Sequence, residues 1–205
     1  MAILTETIPT QGFELVANRI GELLLEEITY QQTLQGFNED VEVFLERIEP
    51  FDKSEDVMIT VAYRESDFEG YTQKDVQGST MYFVDLFVCG KGVGDEPPSI
   101  NAKNKLFRYL GLIRYILSSG KIPTLGFPFG FIGGKWIKKI TIDTDYSNFG
   151  NHSNYDGSFI RFARVIFMVR VQENQELWDG VLLEGNTTTI NTTDTQNGIQ
   201  LIFNN

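Results

Sequence analysis

Apolar residues recur at steps of three and four in two separate stretches of the chain. In residues 12–29 they are Phe13, Val16, Ile20, Leu24 and Ile28. In residues 101–118 they are Leu106, Tyr109 or Leu110, Ile113 and Leu117. A repeat close to 3.6 residues places apolar side chains along one side of a helix. The pattern therefore predicts two amphipathic helices.

Other stretches alternate between apolar and polar residues, or are apolar throughout, as strands do. The predicted strands are 41–48, 56–66, 79–92, 133–145 and 158–172. The strand at 79–92 is apolar on both faces and is expected in the centre of its sheet. The polar segment 65–78 is predicted to be a loop. In 133–145, Trp136, Ile140 and Ile142 are predicted on one face of the strand.

The order of these elements predicts the α+β class, with a mixed or antiparallel sheet covered by two helices. The strand at 158–172 exceeds the usual length, so a long strand hairpin is expected. Residues 1–11 are predicted to be an N-terminal arm, 12–183 a single domain and 184–205 an Asn- and Thr-rich extension. The extension ends in a short apolar strand at 199–203, which is predicted to join its own sheet or a neighbour's, with a disordered tail as the alternative.

Charge is distributed unevenly along the 205 residues, whose net charge is −11. Residues 1–100 hold 20 acidic and 6 basic residues, whereas 101–205 hold 8 acidic and 11 basic ones. The segment 101–121 carries five basic residues and no acidic one. These charge runs are either solvated faces or complementary surfaces through which copies meet. An acidic chain disfavours specific nucleic-acid recognition.

No catalytic, cofactor or metal motif is complete. In the segment 126–136, GFPFGFIGGKW, Phe129 stands where a phosphate-binding loop needs its first glycine, and Trp136 stands where it needs a hydroxyl. His152 is the only histidine and is expected to be exposed in a loop, and Cys89, the only cysteine, is expected to be buried. Residues 143–154 lack the glycine and the final glutamate of a calcium-binding loop. We predict no enzyme activity, no cofactor and no metal.

The aromatic residues of the 126–136 segment have two possible uses. Phe127, Phe129, Phe131 and Trp136 either cover an edge of the core or form an exposed loop that docks onto another protein. Glycines permit unusual backbone geometry, and aromatic residues are enriched in the centres of interfaces. We predict a partner-docking loop, with the core-covering use left open.

The order of helices and strands from residue 12 to residue 172 resembles the tail terminator proteins of long-tailed bacteriophages. The first helix of that family corresponds to 12–29, the second to 101–118, and the closing strand pair to 135–145 and 158–172. The resemblance implies a homo-oligomeric ring, expected as a hexamer, at the head-proximal end of the tail tube. Such a ring stops tube polymerisation and joins the tail to the head connector.

The resemblance also implies the partners of a structural virion protein: copies of itself, the tail tube protein and a head-side connector or adaptor. DNA would pass without specific binding, no membrane is involved, and assembly takes place in the host cytoplasm. The candidate subunit interface is the basic set Lys103, Lys105, Arg108 and Arg114. The alternatives are another virion component, such as a head–tail adaptor, neck or baseplate protein, or a small-molecule enzyme or binding domain.

Overall fold

The computed structural model describes residues 7–8, 10–47, 49, 51–52, 54–69, 75–92, 97–143, 158–174, 191–195 and 198–202. These residues belong to two units, one within Met1–Gln175 and one within Glu176–Asn205. The first unit contains α1 (Gly12–Gln35), β1 (Val41–Leu45), β2 (Val57–Glu69), β3 (Asp75–Lys91), α2 (Pro98–Ser118), β4 (Ile132–Asp143) and β5 (Ser158–Asn174). The second unit contains β6 (Asn191–Thr195) and β7 (Gly198–Ile202).

The five strands of the first unit form one mixed sheet in the order β1-β2-β3-β5-β4. Strand β1 runs parallel to β2, and every other pair is antiparallel. The predicted α+β class is confirmed, and β3 occupies the centre of the sheet as predicted. Strands β1 and β4 are therefore the two edges of the sheet.

Both helices pack on the same face of this sheet. Helix α1 lies over β1 and β2, and α2 lies over β3, β5 and β4. Apart from Phe13, which is half-buried, the predicted stripes of both helices are buried, and they form one core with the apolar residues of that sheet face. The tyrosine hydroxyl of Tyr82, from the central strand, donates a hydrogen bond of 2.8 Å to the backbone oxygen of Phe13. The two helices therefore cover one side of the sheet only.

Helix α1 is longer than predicted, because its last turns are held by polar contacts that apolar spacing does not reveal. The Gln32 side-chain amide donates to the Tyr109 hydroxyl at 3.1 Å and to the Glu39 backbone oxygen at 2.6 Å. The helix ends at Gly36, whose φ of 71° is a left-handed conformation that favours glycine.

The strands β2 and β3 extend into the segment predicted to be a loop. Strand β2 continues to Glu69 and β3 begins at Asp75, so the 65–78 loop prediction is wrong over most of its length. The residues of this extension pair across the two strands, for example Ser66 and Thr80, whose hydroxyl oxygens are 2.9 Å apart. Because polar residues lie on both faces of this extension, its sequence does not alternate between apolar and polar residues. Apolar–polar patterning therefore does not predict this part of the hairpin.

Strand β4 carries two register shifts against β5, one between Ile132 and Gly134 and one between Ile137 and Lys139. Each shift adds one residue and changes which face the following side chains occupy. Trp136 therefore lies opposite Met168, on the face away from the helices, whereas Ile140 and Ile142 contact the helix-covered core. The prediction that Trp136 shares a face with these two isoleucines is wrong for this reason.

The face of the sheet away from the helices is held by contacts between arginine and phenylalanine side chains. The Arg164 guanidinium donates to both carboxylate oxygens of Asp85, at 2.7 and 2.8 Å, and lies 4.2 Å from the centroid of the Phe83 ring. The ion pair raises the pKa of Arg164. This bidentate pair fixes the neighbouring strands β3 and β5 to each other.

In the second unit, β6 and β7 form an antiparallel pair. The apolar end of the chain is a strand there, and its partner among the described residues is β6 of the extension itself. Residues 175–190 lie outside the described part, so the predicted division at 183/184 stays a prediction. His152 also lies outside the described residues, as does most of 143–154, the segment compared with a calcium-binding loop.

Candidate assembly interface

The four basic residues of the candidate subunit interface all lie on α2, but the helix directs them to different sides. Lys105 faces inward and is only 8% exposed. Its ammonium donates to the backbone oxygen of Cys89 at 3.0 Å and to the Asp56 carboxylate at 3.3 Å. A buried ammonium needs such partners. Lys105 therefore already has its contacts within the chain, and its role at an interface stays a prediction.

Arg108 also has partners within the chain, although its side chain is 41% exposed. Its guanidinium donates to the Glu39 carboxylate at 2.8 Å and lies 4.9 Å from the centroid of the Phe37 ring. Beside it, burial and the negative charge of Glu39 raise the pKa of the Tyr109 hydroxyl. Arg108 therefore links α2 to the segment that follows α1.

Lys103 and Arg114 face outward and are exposed. Neither forms an ion pair with another residue in the part of the chain that the structure describes. The same outward side carries Phe107, which is 49% exposed, whereas Tyr115 is 68% exposed and lines the groove between the two helices. Sequence reasoning missed these two aromatic residues, although positions 103, 107 and 114 share one side of a helix by spacing alone.

The outward side of α1 has the opposite charge. Glu14, Glu22 and Glu26 are exposed there, together with Leu15 and Leu25. One arginine lies among them: the guanidinium of Arg19 is 3.1 Å from Glu22 and 3.7 Å from Glu26. A single arginine cannot neutralise three carboxylates, so this side of α1 remains acidic.

The two edges of the sheet also carry opposite charges. Acidic Glu42 lies on β1, between the acidic positions Asp40 and Glu46. Strand β4 carries three lysines instead, Lys135, Lys138 and Lys139. Because α1 covers the β1 side and α2 the β4 side, one edge of the unit is acidic and the opposite edge is basic.

Lys135 differs from the other two lysines of β4, because its ammonium is turned toward the end of α2. It donates to the backbone oxygens of Leu117 at 2.7 Å and Ser119 at 3.0 Å, and burial lowers its pKa. It therefore satisfies the last carbonyl groups of α2, as a cation does at a helix C-terminus. Lys138 and Lys139 are exposed and give the β4 edge its positive charge.

The predicted docking loop divides into residues that cover the core and residues that stay exposed. The rings of Phe127 and Phe131 are 4.7 Å apart and pack against the core. Phe129 lies between them and is fully exposed, and Trp136 is 42% exposed. Both uses considered for this segment are thus present in it, and docking stays a prediction for Phe129 and Trp136.

The loop is held in place by polar contacts and by two glycines. Gly126 and Gly130 have φ values of 90° and 96°, a conformation that other residues rarely adopt. The Thr124 hydroxyl donates to the Phe127 backbone oxygen at 2.8 Å, and Arg19 donates to the Leu125 backbone oxygen at 3.0 Å. The exposed Phe129 ring is therefore carried by a braced turn.

Nothing in the described residues resembles a reaction centre. An open groove of about 470 Å³ lies between the two helices and is lined in part by Tyr30, Gln35, Tyr115 and Lys121. Cys89 is buried, as predicted. Within the described ranges, no three His, Cys, Asp or Glu residues lie close enough together to hold a metal ion. Neither described helix is both long and apolar enough to cross a membrane.

No protein-family model and no curated protein matches the sequence. Among solved structures, the fold is similar to the sheath/tube terminator of an extracellular contractile injection system, named PVC, in its extended state. The two chains are 10% identical, the TM-score is 0.42, and the alignment covers 94% of this chain and 68% of the other. At that identity and that TM-score the chains superpose loosely, so the role named for that protein is not transferred to this one.

Proposed function

We propose that this chain is a structural protein of a phage tail or a tail-like particle, and that it acts as a tail terminator. Copies of the chain form a ring on the head-proximal end of the tail tube, stop its polymerisation and present a surface to the head-side connector. The chain performs no catalysis in this role. The order of its helices and strands, which resembles that family, is the starting point of the proposal.

One observation carries the proposal: the edge formed by α1 and β1 is acidic, whereas the edge formed by α2 and β4 is basic. Surfaces of opposite charge at opposite edges favour head-to-tail contacts between identical copies, because the acidic edge of each copy faces the basic edge of the next. Such heterologous contacts generate a ring when the rotation between copies closes. A monomeric enzyme or binding domain has no need of this arrangement.

The exposed aromatic residues supply a second surface for a partner. Phe129 projects from a braced turn, so little entropy is lost when it is buried against another protein. An aromatic residue held in this way is typical of an interface anchor. We assign Phe129 to the contact with the tail tube, while the charged edges join the copies of the ring.

The proposal is tested with the purified chain and tubes assembled from the tail tube protein of the same phage or particle. Native mass spectrometry should show a closed oligomer with a mass that is a multiple of 23.3 kDa, alone or once tubes are added. Electron microscopy should show it on one end of each tube, and tubes grown in its presence should be shorter. The Phe129→Ala variant should form the oligomer but leave tube growth unrestricted.

A chain that stays monomeric and leaves tube length unchanged would contradict the proposal. Binding along the sides of the tubes, or at the end that carries the baseplate, would instead indicate another virion component. The end of the tube that is bound therefore separates a terminator from a baseplate protein.

A further inference from the structure

The outward side of α2 combines free positive charge with exposed apolar surface. Lys103 and Arg114 lie eleven residues apart, which is about 16 Å along a helix. Phe107 lies between them along the helix and is 49% exposed. This side of α2 therefore has two cations at its ends and an aromatic ring between them.

Gly111 lies on the same side of α2, and the chain by itself does not need a glycine there. A Cβ atom added at Gly111 would meet nothing within 4 Å, and its backbone is helical. Glycine in the middle of a helix lowers stability relative to alanine. A glycine on an exposed helix surface allows the backbone of a second helix to approach closely, since the distance between packed helices depends on the side chains at the contact.

The outward side of α1 is opposite in charge to the outward side of α2, and its charges are spread over a similar length of helix. Glu14 and Glu26 lie twelve residues apart, which is about 18 Å along the helix and about a third of a turn around it. Leu25 is exposed close to Glu14 around the helix. Over their whole lengths, α2 has four basic residues and no acidic one, whereas α1 has four acidic residues and one basic one.

We propose that the outward side of α2 in one copy packs against the outward side of α1 in the next copy. Lys103 and Arg114 then face Glu14 and Glu26, and Gly111 marks the point of closest approach. This assignment rests on the proposed ring, and it names the surfaces that join its subunits. This pairing differs from two unrelated solvated faces, because α2 supplies the positive charges and α1 supplies the negative ones.

The helices are better suited to this contact than the edge strands of the sheet. Strand β4 has two register shifts and the exposed lysines Lys138 and Lys139, and both features discourage the backbone of another strand from pairing with an edge. The lysines still contribute positive charge to the basic edge. The subunits therefore meet through side chains rather than through a continuous sheet.

Two double variants with reversed charges test the pairing. Glu14→Lys with Glu26→Lys makes the outward side of α1 basic, and Lys103→Glu with Arg114→Glu makes the outward side of α2 acidic. In either variant alone every contact joins like charges, so the assembled fraction should fall at least about tenfold. In an equimolar mixture, each reversed helix meets its complement. Native mass spectrometry should then show oligomers that contain both variants.

A matched control separates this effect from a change in net charge. Glu65→Lys with Asp67→Lys changes the charge by the same amount as the α1 variant, at exposed positions of β2, and it should assemble like the wild type. All variants should unfold at nearly the wild-type temperature. Gly111→Gln, which fits the open space of the isolated chain, should fold normally and lose assembly.

The outcomes distinguish this inference from the proposed function. A wild-type ring that persists in both double variants would overturn the helix pairing and leave the ring intact. Loss of assembly in each variant without rescue in the mixture would also overturn the pairing, because the reversed helices would not face each other. A wild-type chain that is monomeric with and without tubes would overturn the ring and this interface with it.

Discussion

The two sides of α2 use the same kinds of residues for different purposes. On the inner side, Lys105 is buried and its ammonium is bound by Asp56 and a backbone oxygen. On the outer side, Lys103 is exposed and has no ion pair with a described residue. One basic stretch of sequence thus contains a lysine that holds the fold together and another that is available for a partner.

This difference means that net charge along the chain does not by itself define an interface. Burial and existing partners decide which charges remain available to a second copy. On that basis Lys103 and Arg114 stay predicted interface residues, while Lys105 and Arg108 are engaged within the chain. Substitutions on the inner side should therefore lower stability, and those on the outer side should change assembly with little effect on stability.

The largest expected difference between the two sides of α2 is in the free energy of unfolding after an apolar residue is shortened. Ile113→Ala removes a fully buried side chain and should lower the free energy of unfolding by about 2–5 kcal/mol. Ile100→Ala, on the outer side where Ile100 is 45% exposed, should change it by less than about 0.5 kcal/mol. Denaturant unfolding of both variants measures the difference. Equal losses would show that the helix does not have a buried and an exposed side.

The two lysines give the next largest difference. Lys105→Met leaves the Cys89 backbone oxygen without the ammonium and removes the nearer cation from Asp56, which keeps Lys91 at 3.7 Å. The loss should be about 1–3 kcal/mol, because a buried hydrogen bond and a close ion pair are removed. Lys103→Met should leave the free energy of unfolding almost unchanged and weaken assembly. The reverse order of the two effects would contradict the account.

The inner side should also show a dependence on pH. The pKa of Tyr109 is raised by burial and by Glu39, so the folded chain keeps the phenolic proton above pH 10 whereas the unfolded chain loses it. Stability from this group is fully present below about pH 10 and falls above it, by at most about 1.4 kcal/mol per pH unit. In Tyr109→Phe this decline should be shallower. The free energy of unfolding is measured with urea between pH 10 and pH 11.5 in the wild type and in Tyr109→Phe. If it falls equally steeply with pH in both, Tyr109 does not keep its phenolic proton in the folded chain.

The smallest expected effect is an increase in stability rather than a loss. Gly111→Ala should raise the free energy of unfolding by about 0.5–1 kcal/mol, because alanine favours the helix and the site is open. Gly21→Ala in α1 is the matched control, since a Cβ there would lie 3.1 Å from the Leu45 side chain. Its gain should be smaller or absent. If Gly111→Ala is the more destabilising of the two in thermal unfolding, the space around Gly111 is not open.

The helices and the main strands could be predicted because their burial is recorded in apolar spacing. Val16, Ile20, Leu24 and Ile28 repeat every four residues, and all four are fully buried. Apolar spacing does not predict a strand that is held by polar pairs rather than by burial. The β2–β3 hairpin continues through polar pairs such as Ser66 and Thr80, and no apolar pattern marks it.

The exposure of the candidate interface residues could not be predicted from their charge, because charge shows the sign of a surface and not its exposure. Helical spacing could have placed Lys105 on the buried side, since it lies four residues before Tyr109 and eight before Ile113. It could also have placed Phe107 on the outer side with Lys103. The register shift between Ile137 and Lys139, which turns Trp136 to the other face of the sheet, has no comparable signal in the sequence.

The central claim is that opposite charges on two edges of the chain join identical copies into a ring. Native mass spectrometry of the wild-type chain across a range of salt concentrations tests it most directly. The account predicts a closed oligomer at about 20 mM salt that dissociates toward the monomer near 0.5 M, because the screening length shortens to a few ångströms. A monomer at every salt concentration, or an oligomer indifferent to salt, would contradict it.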